Sequence, residues 1–115
     1  MSSSPDGANA ILALFADALA DGDEVVTARR MFGEYGLYCD GRFFGLICDD
    51  TLFLKPLPEL RAAMRAPDAA YPFPGAKLWL RLGPEDMDDP EQLARLTRIA
   101  MTHLPPPPRK KRKRD

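Results

Sequence analysis

The side chains best suited to nucleophilic or metal chemistry in this sequence are its two cysteines and one histidine, Cys39, Cys48 and His103. A cysteine–histidine nucleophile needs both side chains within hydrogen-bonding distance and a third group that orients them. Both cysteines fall in strand-like runs, and the rise of a strand places them roughly 20 Å apart in the register that the turns indicate. That distance excludes a disulfide and a shared metal ion. We therefore expect no catalytic site, no metal site and no cofactor.

The highest charge density lies at the C-terminal end, in Arg109, Lys110, Lys111, Arg112, Lys113 and Arg114. Residues 1–108 carry ten Lys/Arg against sixteen Asp/Glu, a net charge of −6, whereas residues 109–115 carry six against one, a net charge of +5. Because Lys and Arg supply most of the affinity for a phosphate backbone, any nucleic-acid binding should be weak, independent of sequence and confined to this tail. The alternative is a disordered, solubilising end.

A third candidate is the alternation of Lys77, Trp79 and Arg81 on one face of a predicted strand. A basic–aromatic–basic face could stack on nucleic-acid bases. A half-buried tryptophan with the stems of two basic side chains lying over it gives the same pattern, and we favour this structural interpretation.

The segment 29–36 holds two weaker candidates. Arg29 and Arg30 could form an anion site, but we expect Arg30 to form a structural ion pair with Glu34, Asp49 or Asp50. Gly33 and Gly36 could mark a bend that contacts a ligand, but glycines beside strands more often permit a bulge or a turn with positive φ. Both features are therefore interpreted as structural.

Length and composition are those of one globular domain. With 115 residues, 45% of them hydrophobic and 29% charged, the chain can bury a single core. No apolar run approaches the roughly 20 residues that cross a bilayer, and the N-terminus has neither a basic start nor an apolar core. Two cysteines without a spaced framework fit a reducing compartment. We expect a cytoplasmic protein that makes no membrane contact.

The hydrophobic pattern predicts an α+β fold, with an antiparallel meander of about five strands, an N-terminal helix, a short middle helix and a C-terminal helix. The strands are expected at 25–32, 36–39, 42–48, 51–55 and 76–82, and the helices at 5–19, 57–64 and 90–104. Asp40-Gly41 and Asp49-Asp50 are the predicted two-residue turns. Asp89 is expected to cap the last helix, with Gln92 completing a capping box. The prolines after Leu104 form a stiff spacer, so a domain at 1–104 precedes a spacer and tail at 105–115.

Strict alternation away from the two turns divides the meander into two faces. The face predicted to be core carries Tyr38, Phe43, Gly45, Ile47, Leu52 and Leu54. The second face carries Leu37, Cys39, Phe44, Leu46, Cys48 and Phe53 within a polar rim. Because such a face needs cover from a helix or from another subunit, Phe44, Leu46 and Phe53 form a candidate interface, and a homodimer is one expectation.

The motif in the first half of the meander is Arg29, Arg30, Met31, Phe32, Gly33, Tyr35, Gly36, Asp40 and Gly41. With the following runs at 43–46 and 52–55, it resembles the N-terminal domain of the TfoX/Sxy competence regulators, over most of residues 8–104. The resemblance implies a compact bacterial α+β domain without catalytic residues, and full-length relatives that regulate competence genes together with a transcription activator. Such relatives carry a second, helical domain, in whose place this sequence has its spacer and tail. The resemblance is therefore to a stand-alone N-terminal domain.

We accordingly expect a non-catalytic regulatory or adaptor domain that binds an unidentified protein partner. Weak nucleic-acid binding through the basic tail is the alternative.

Overall fold

The computed structural model describes residues 5–31 and 33–105. The elements in chain order are α1 (Pro5–Ala18), β1 (Val26–Met31), β2 (Glu34–Cys39), β3 (Arg42–Cys48), β4 (Thr51–Leu54), α2 (Pro58–Ala63), β5 (Ala69–Ala70), β6 (Trp79–Arg81), α3 (Pro84–Met87) and α4 (Pro90–His103). All strand pairs are antiparallel, in the order β1-β2-β3-β4-β6-β5. The predicted α+β class is confirmed. Phe32 and the tail Arg109–Arg114 lie outside the described residues, and the domain boundary at residue 104 stays a prediction.

Both predicted hairpin turns are present. Asp40 and Gly41 have φ angles of 52° and 85°, and Asp49 and Asp50 have φ angles of 52° and 58°. Two successive residues with positive φ make the tight turn whose twist matches that of paired strands. The register beside each turn is the predicted one, with Cys39 opposite Arg42 and Cys48 opposite Thr51.

A β-bulge interrupts the pairing of β2 with β3. Tyr38 pairs with Phe43, whereas its neighbour Leu37 pairs with Gly45. Phe44 is thus an extra residue, and Phe44 and Gly45 together oppose Leu37. Strict alternation assumes that no residue is inserted, so the predicted faces are wrong for residues 37–44, around the Asp40-Gly41 turn, and right from Leu46 onward.

The bulge redistributes the residues between the two faces of the sheet. Tyr38 and Phe43, which were predicted to be core, lie on the face without helices. Leu37, Cys39 and Phe44, which were predicted for that second face, lie in the main core, and each is 0% exposed. Leu46, Cys48 and Phe53 stay on the second face, as predicted.

The helices that the structure describes all pack on the same face of the sheet. The main core joins apolar residues of α1, α2 and α4 to the inward residues of the sheet, such as Ile47, Leu52 and Leu80. Phe15 of α1 and Leu96 of α4 are each 0% exposed there. A separate, smaller cluster lies on the opposite side and consists of strand residues alone among those described.

The second half of the chain holds two elements that the pattern did not predict, β5 and α3. Ala69 and Ala70 pair with Leu80 and Trp79, so β5 closes the sheet edge with two residues that have too little pattern to be recognised. The predicted strand at 76–82 is shorter in the structure, where β6 spans Trp79–Arg81. A long proline-containing loop occupies residues 71–78.

The buried carboxylate of Asp86 links segments of the second half of the chain by hydrogen bonds. Asp86, which is 0% exposed, accepts hydrogen bonds from the backbone N–H of Arg65 at 2.7 Å and of Ala66 at 3.2 Å. The Gln92 side-chain amide donates to Asp86 and to the Ala63 carbonyl, each at 2.8 Å. Asp89 caps α4, as predicted, and accepts from the Glu91 N–H at 3.0 Å. The hydrogen bonds described for the Gln92 side chain are these two donations from Nε2, and the predicted capping-box bond from the Asp89 N–H is not among them.

Candidate protein-binding face

The outer face is the side of the sheet opposite the described helices, and it is defined by Tyr38, Phe43, Leu46, Cys48, Phe53 and Trp79. Three of its aromatic rings form a row across β2, β3 and β6. The ring centroids of Tyr38 and Phe43 are 5.3 Å apart, and those of Phe43 and Trp79 are 5.9 Å apart. All three side chains are half-buried, so the row presents part of its surface to solvent. Tilted and edge-on ring contacts at these distances stabilise such a row.

Two cations lie against the aromatic row. The Arg29 guanidinium carbon is 5.2 Å from the centre of the Tyr38 ring, and Lys55 Nζ is 5.0 Å from the centre of the Phe43 ring. Both distances are within the range of a cation–π interaction. Neither cation forms an ion pair with another residue in the described ranges. The rim of the row therefore carries positive charge that is available to a partner.

A small apolar layer lies beside the row. Leu46 is 7% exposed, Phe53 5% and Cys48 1%, and Phe43 and Trp79 pack against them. Gly36 allows close packing here, because a Cβ at this position would overlap the Met31 methyl group and lie 3.2 Å from the Phe43 ring. Gly36 thus has a packing role, whereas Gly33, with a φ of 80°, has the conformational role that was predicted.

The three residues predicted as an interface do not act as one surface patch. Phe44 packs against Phe15 in the main core and is absent from the outer face. Leu46 and Phe53 lie on the outer face, but they are nearly covered by the chain itself. The accessible part of the face belongs to Tyr38, Phe43 and Trp79 instead. Two adjacent aromatics followed by glycine at 43–45 are the sequence signal that could have indicated the bulge.

The three residues of the basic–aromatic–basic pattern have different surroundings in the structure. Trp79 is half-buried on the outer face, in agreement with the favoured structural interpretation. Arg81 is exposed and forms a salt bridge with Asp68, with Nε 2.7 Å from Oδ2. Lys77 is exposed and precedes β6. The arrangement is not a continuous basic strip.

Arg29 and Arg30 project to opposite sides of β1. Arg29 shares the outer face with Gly36, and Arg30 is paired with Tyr35 on the other side. Arg30 Nη1 donates to the Tyr35 hydroxyl at 3.4 Å, and its guanidinium carbon is 5.8 Å from the ring centre. The predicted ion pair of Arg30 is therefore replaced by a contact with tyrosine. A two-arginine anion site is not formed.

The thiols and the histidine are not brought together. Cys39 belongs to the main core and Cys48 to the outer cluster, and both are free. Burial raises the pKa of each thiol to about 11, with nearby carboxylates adding to the effect. His103 lies at the end of α4, where its Nδ1 is 3.7 Å from a Glu59 carboxylate oxygen. Within the described ranges, no group of three or more His, Cys, Asp and Glu side chains could hold a metal ion.

An open hollow lies at the end of the sheet where β2 begins and β3 ends. It has a volume of about 760 Å³ and is lined by Glu34, Asp49 and residues 71–76. Tyr71 and Phe73 of the loop are 67% and 48% exposed. The loop between β5 and β6 thus reaches back toward this end of the sheet. Among residues 5–31 and 33–105, no helix has the length and apolar character needed to cross a membrane.

Comparison with known proteins gives two matches and one absence. The sequence model of the TfoX N-terminal domain matches residues 17–104. An uncharacterized 12.7 kDa protein from the trpE 5′ region of Spirochaeta aurantia is 37% identical over 87 residues, which cover 74% of each chain. No solved structure matches. The family match spans β1 to α4, and so includes every strand of the outer face. The chain belongs to the TfoX N-terminal domain family.

Proposed function

We propose that this chain is a non-catalytic adaptor domain of the cytoplasm that binds a protein partner through its outer face. Membership of the TfoX N-terminal domain family supports a regulatory or adaptor role in general terms. The observation that carries the proposal is the partly exposed row of Tyr38, Phe43 and Trp79 on the one sheet face that no described helix covers.

The composition of this face supports a protein partner. Tyrosine, tryptophan and arginine are the residues that contribute most often to the energetic centres of protein interfaces. Tyr38 and Trp79 are already held by neighbouring rings, so docking would cost little side-chain entropy. Arg29 and Lys55 supply charge at the rim, where it steers association more than it adds affinity. The partner would then present an apolar centre with acidic residues around it.

Competence regulation is the family function that this proposal would serve. The matched relative is itself uncharacterized, so the partner has to come from experiment. A second copy of the chain is the less favoured partner for the outer face. Phe44, Leu46 and Phe53, which suggested a homodimer from the sequence, are 0%, 7% and 5% exposed. They offer little apolar area for a second copy to bury.

The test is affinity capture with the tagged full-length chain, followed by quantitative mass spectrometry. The double variant Arg29→Glu, Lys55→Glu reverses the rim charge, and Arg61→Glu, Arg95→Glu makes the same change on exposed positions of α2 and α4. We expect one bacterial protein to be captured by the wild type and the control, and lost from the rim variant. Equal capture by both variants would place the partner elsewhere. Trp79 is the only tryptophan, so its emission should also change when the purified partner is added.

Nucleic-acid binding through the tail is a second candidate, favoured by the net charge of +5 on residues 109–115 beside a body of net charge −6. Neutralising six phosphates gives a log–log salt slope of at most about −5, and hence weak binding at physiological salt. Deletion of residues 105–115 should abolish binding to duplex DNA and leave the melting temperature nearly unchanged. Affinity retained by the truncated chain would move the site to the body.

A further inference from the structure

β1 forms an open edge of the sheet. It stands at one end of the strand order, and β2 is its only neighbour among the described strands. The opposite edge belongs to β5, which has only two residues. A six-residue edge strand leaves a row of backbone donors and acceptors on its outer side, whereas a two-residue edge offers almost none.

The register shows which backbone groups of β1 point outward. The Asp40 N–H donates to the Val25 carbonyl at 3.1 Å, so residue 25 faces β2. Hydrogen-bonded pairs alternate along an antiparallel ladder, so residues 27, 29 and 31 also face β2. Val26, Ala28 and Arg30 therefore direct their N–H and C=O groups to the open edge. These groups could accept one more antiparallel strand without any change in the sheet.

The side chains of this edge are suited to an acidic strand. Arg29 and Arg30 are successive, exposed and on opposite faces, and neither forms an ion pair with another described residue. A strand added to β1 would place one side chain opposite each arginine, one on each face of the sheet. Val25, which is 59% exposed at the start of this edge, adds an apolar contact.

Charge disfavours a second copy of β1 at the same edge. Pairing two copies would bring four arginines into one two-stranded ribbon, and the register centred on Arg29 would set like charges directly opposite each other. Such pairs destabilise a sheet. By contrast, two consecutive carboxylates in an extended segment would lie directly opposite the two arginines, with one pair on each face of the sheet.

We propose that β1 binds an extended segment of a partner by strand addition, and that the segment carries two adjacent acidic residues opposite Arg29 and Arg30. Backbone hydrogen bonds to Val26, Ala28 and Arg30 give the affinity, and the two ion pairs set the register. This site is at the edge of the sheet and shares Arg29 with the rim of the aromatic row. Arg30 and the outward amides of β1 belong to the edge alone, and Lys55 and Trp79 belong to the outer face alone, so the two sites can be tested apart.

The test uses the full chain and the acetylated, amidated hexapeptide Thr-Val-Glu-Glu-Val-Thr, with Thr-Val-Lys-Lys-Val-Thr as its matched control. Amide hydrogen exchange is followed by NMR. With the acidic peptide we expect the N–H groups of Val26, Ala28 and Arg30 to exchange more slowly, by a factor of up to about ten. The exchange rate of the Thr27 N–H, which is already paired with β2, should change little. The lysine peptide should have no effect.

A charge swap separates recognition from a merely structural role. The variant Arg29→Glu, Arg30→Glu should lose the acidic peptide and gain the lysine peptide, and Lys55→Glu should bind as the wild type does. Three results would overturn the proposal. The first is equal binding of both peptides. The second is slower exchange confined to amides outside β1. The third is protection of Val26, Ala28 and Arg30 in the free protein, through pairing of two copies.

Discussion

Phe44 meets Phe15 of α1 edge to face, with ring centroids 5.6 Å apart and ring planes at 88°. This contact fixes the direction of the β3 side chains after the Asp40-Gly41 turn. Because Phe44 occupies the inward position, the adjacent Phe43 is directed outward, where it joins Tyr38 and Trp79. The packing of one core phenylalanine therefore determines which aromatic rings the outer face presents.

Gly45 should be intolerant of substitution. A Cβ at this position would lie 2.8 Å from the Phe53 carbonyl oxygen and 3.1 Å from a Leu54 methyl group. Since the backbone of β4 cannot move without breaking the ladder, Gly45→Ala should lower the free energy of unfolding by about 1–3 kcal/mol. Gly36→Ala is the control, because the methyl group of Met31 can rotate away, and it should cost less. Urea denaturation measures both, and a larger loss for Gly36→Ala would contradict this account of the bulge.

Asp86 should be among the most sensitive polar residues. Asp86→Ala leaves the N–H groups of Arg65 and Ala66 and the Gln92 amide without their acceptor. Unsatisfied buried groups cost about 1–3 kcal/mol each, although relaxation and water entry limit the sum, so we expect a loss of about 2–4 kcal/mol. The exposed Asp88 is a matched control, and Asp88→Ala should change stability by less than about 0.5 kcal/mol. Equal effects in thermal denaturation would refute the structural role of Asp86.

Glu24 should account for part of the stability that the domain loses at low pH. Arg98 donates to its carboxylate from Nε at 2.8 Å and from Nη2 at 3.2 Å, and these hydrogen bonds hold the pKa of Glu24 below its ordinary value of 4.5. A lowered folded-state pKa gives stability that is present above the unfolded-state pKa and lost as pH falls through the folded-state pKa.

The variant Arg98→Gln should therefore be less stable than the wild type at neutral pH, with a difference that shrinks as the pH falls below about 4.5. Melting temperatures measured across that range test this, and Arg95→Gln on the exposed side of α4 should retain the wild-type acid profile. A difference that stays constant down to the acid transition would show that Glu24 does not contribute.

The two cysteines should report separately on the two sides of the sheet. Both are buried and have pKa values of about 11, so neither should react with a thiol reagent in the native protein at pH values of about 8. Trp79→Ala opens the cluster over Cys48 and should speed its modification, while Cys39 beneath the helices stays protected. Mass spectrometry of the labelled peptides distinguishes the two sites. Faster labelling of Cys39 would show that the change unfolds the domain as a whole.

The sequence predicted the features that depend on local chemistry. The Asp40-Gly41 turn, the Asp89 cap and the proline at the start of α4 are local signals, and the structure contains all three. The bulge was not predicted, because it depends on Phe44 reaching Phe15 across the core. Likewise, nothing in the pattern of Ala69-Ala70 marks a strand, and nothing near Asp86 in the sequence reveals that it accepts from Arg65 and Ala66.

The candidate site was predicted only in part for the same reason. Leu46 and Phe53 were assigned to the correct face, but how far the chain covers them depends on Trp79 and Phe43, which come from other strands. Arg30 was expected to find a carboxylate, yet Tyr35 lies directly opposite it in the ladder. Contacts of this kind follow from register, and one inserted residue changes the register.

Photocrosslinking from the outer face tests the central claim most directly. Benzoylphenylalanine at position 43 keeps an aromatic ring in the row, and the same residue at the exposed position 61 on α2 serves as the control. Cells that express either full-length protein are irradiated, and the adducts are identified by mass spectrometry. We predict a single protein adduct from position 43 and none from position 61. An adduct from position 61 alone, or none from position 43 while affinity capture still retrieves the partner, would contradict the outer face as the binding surface.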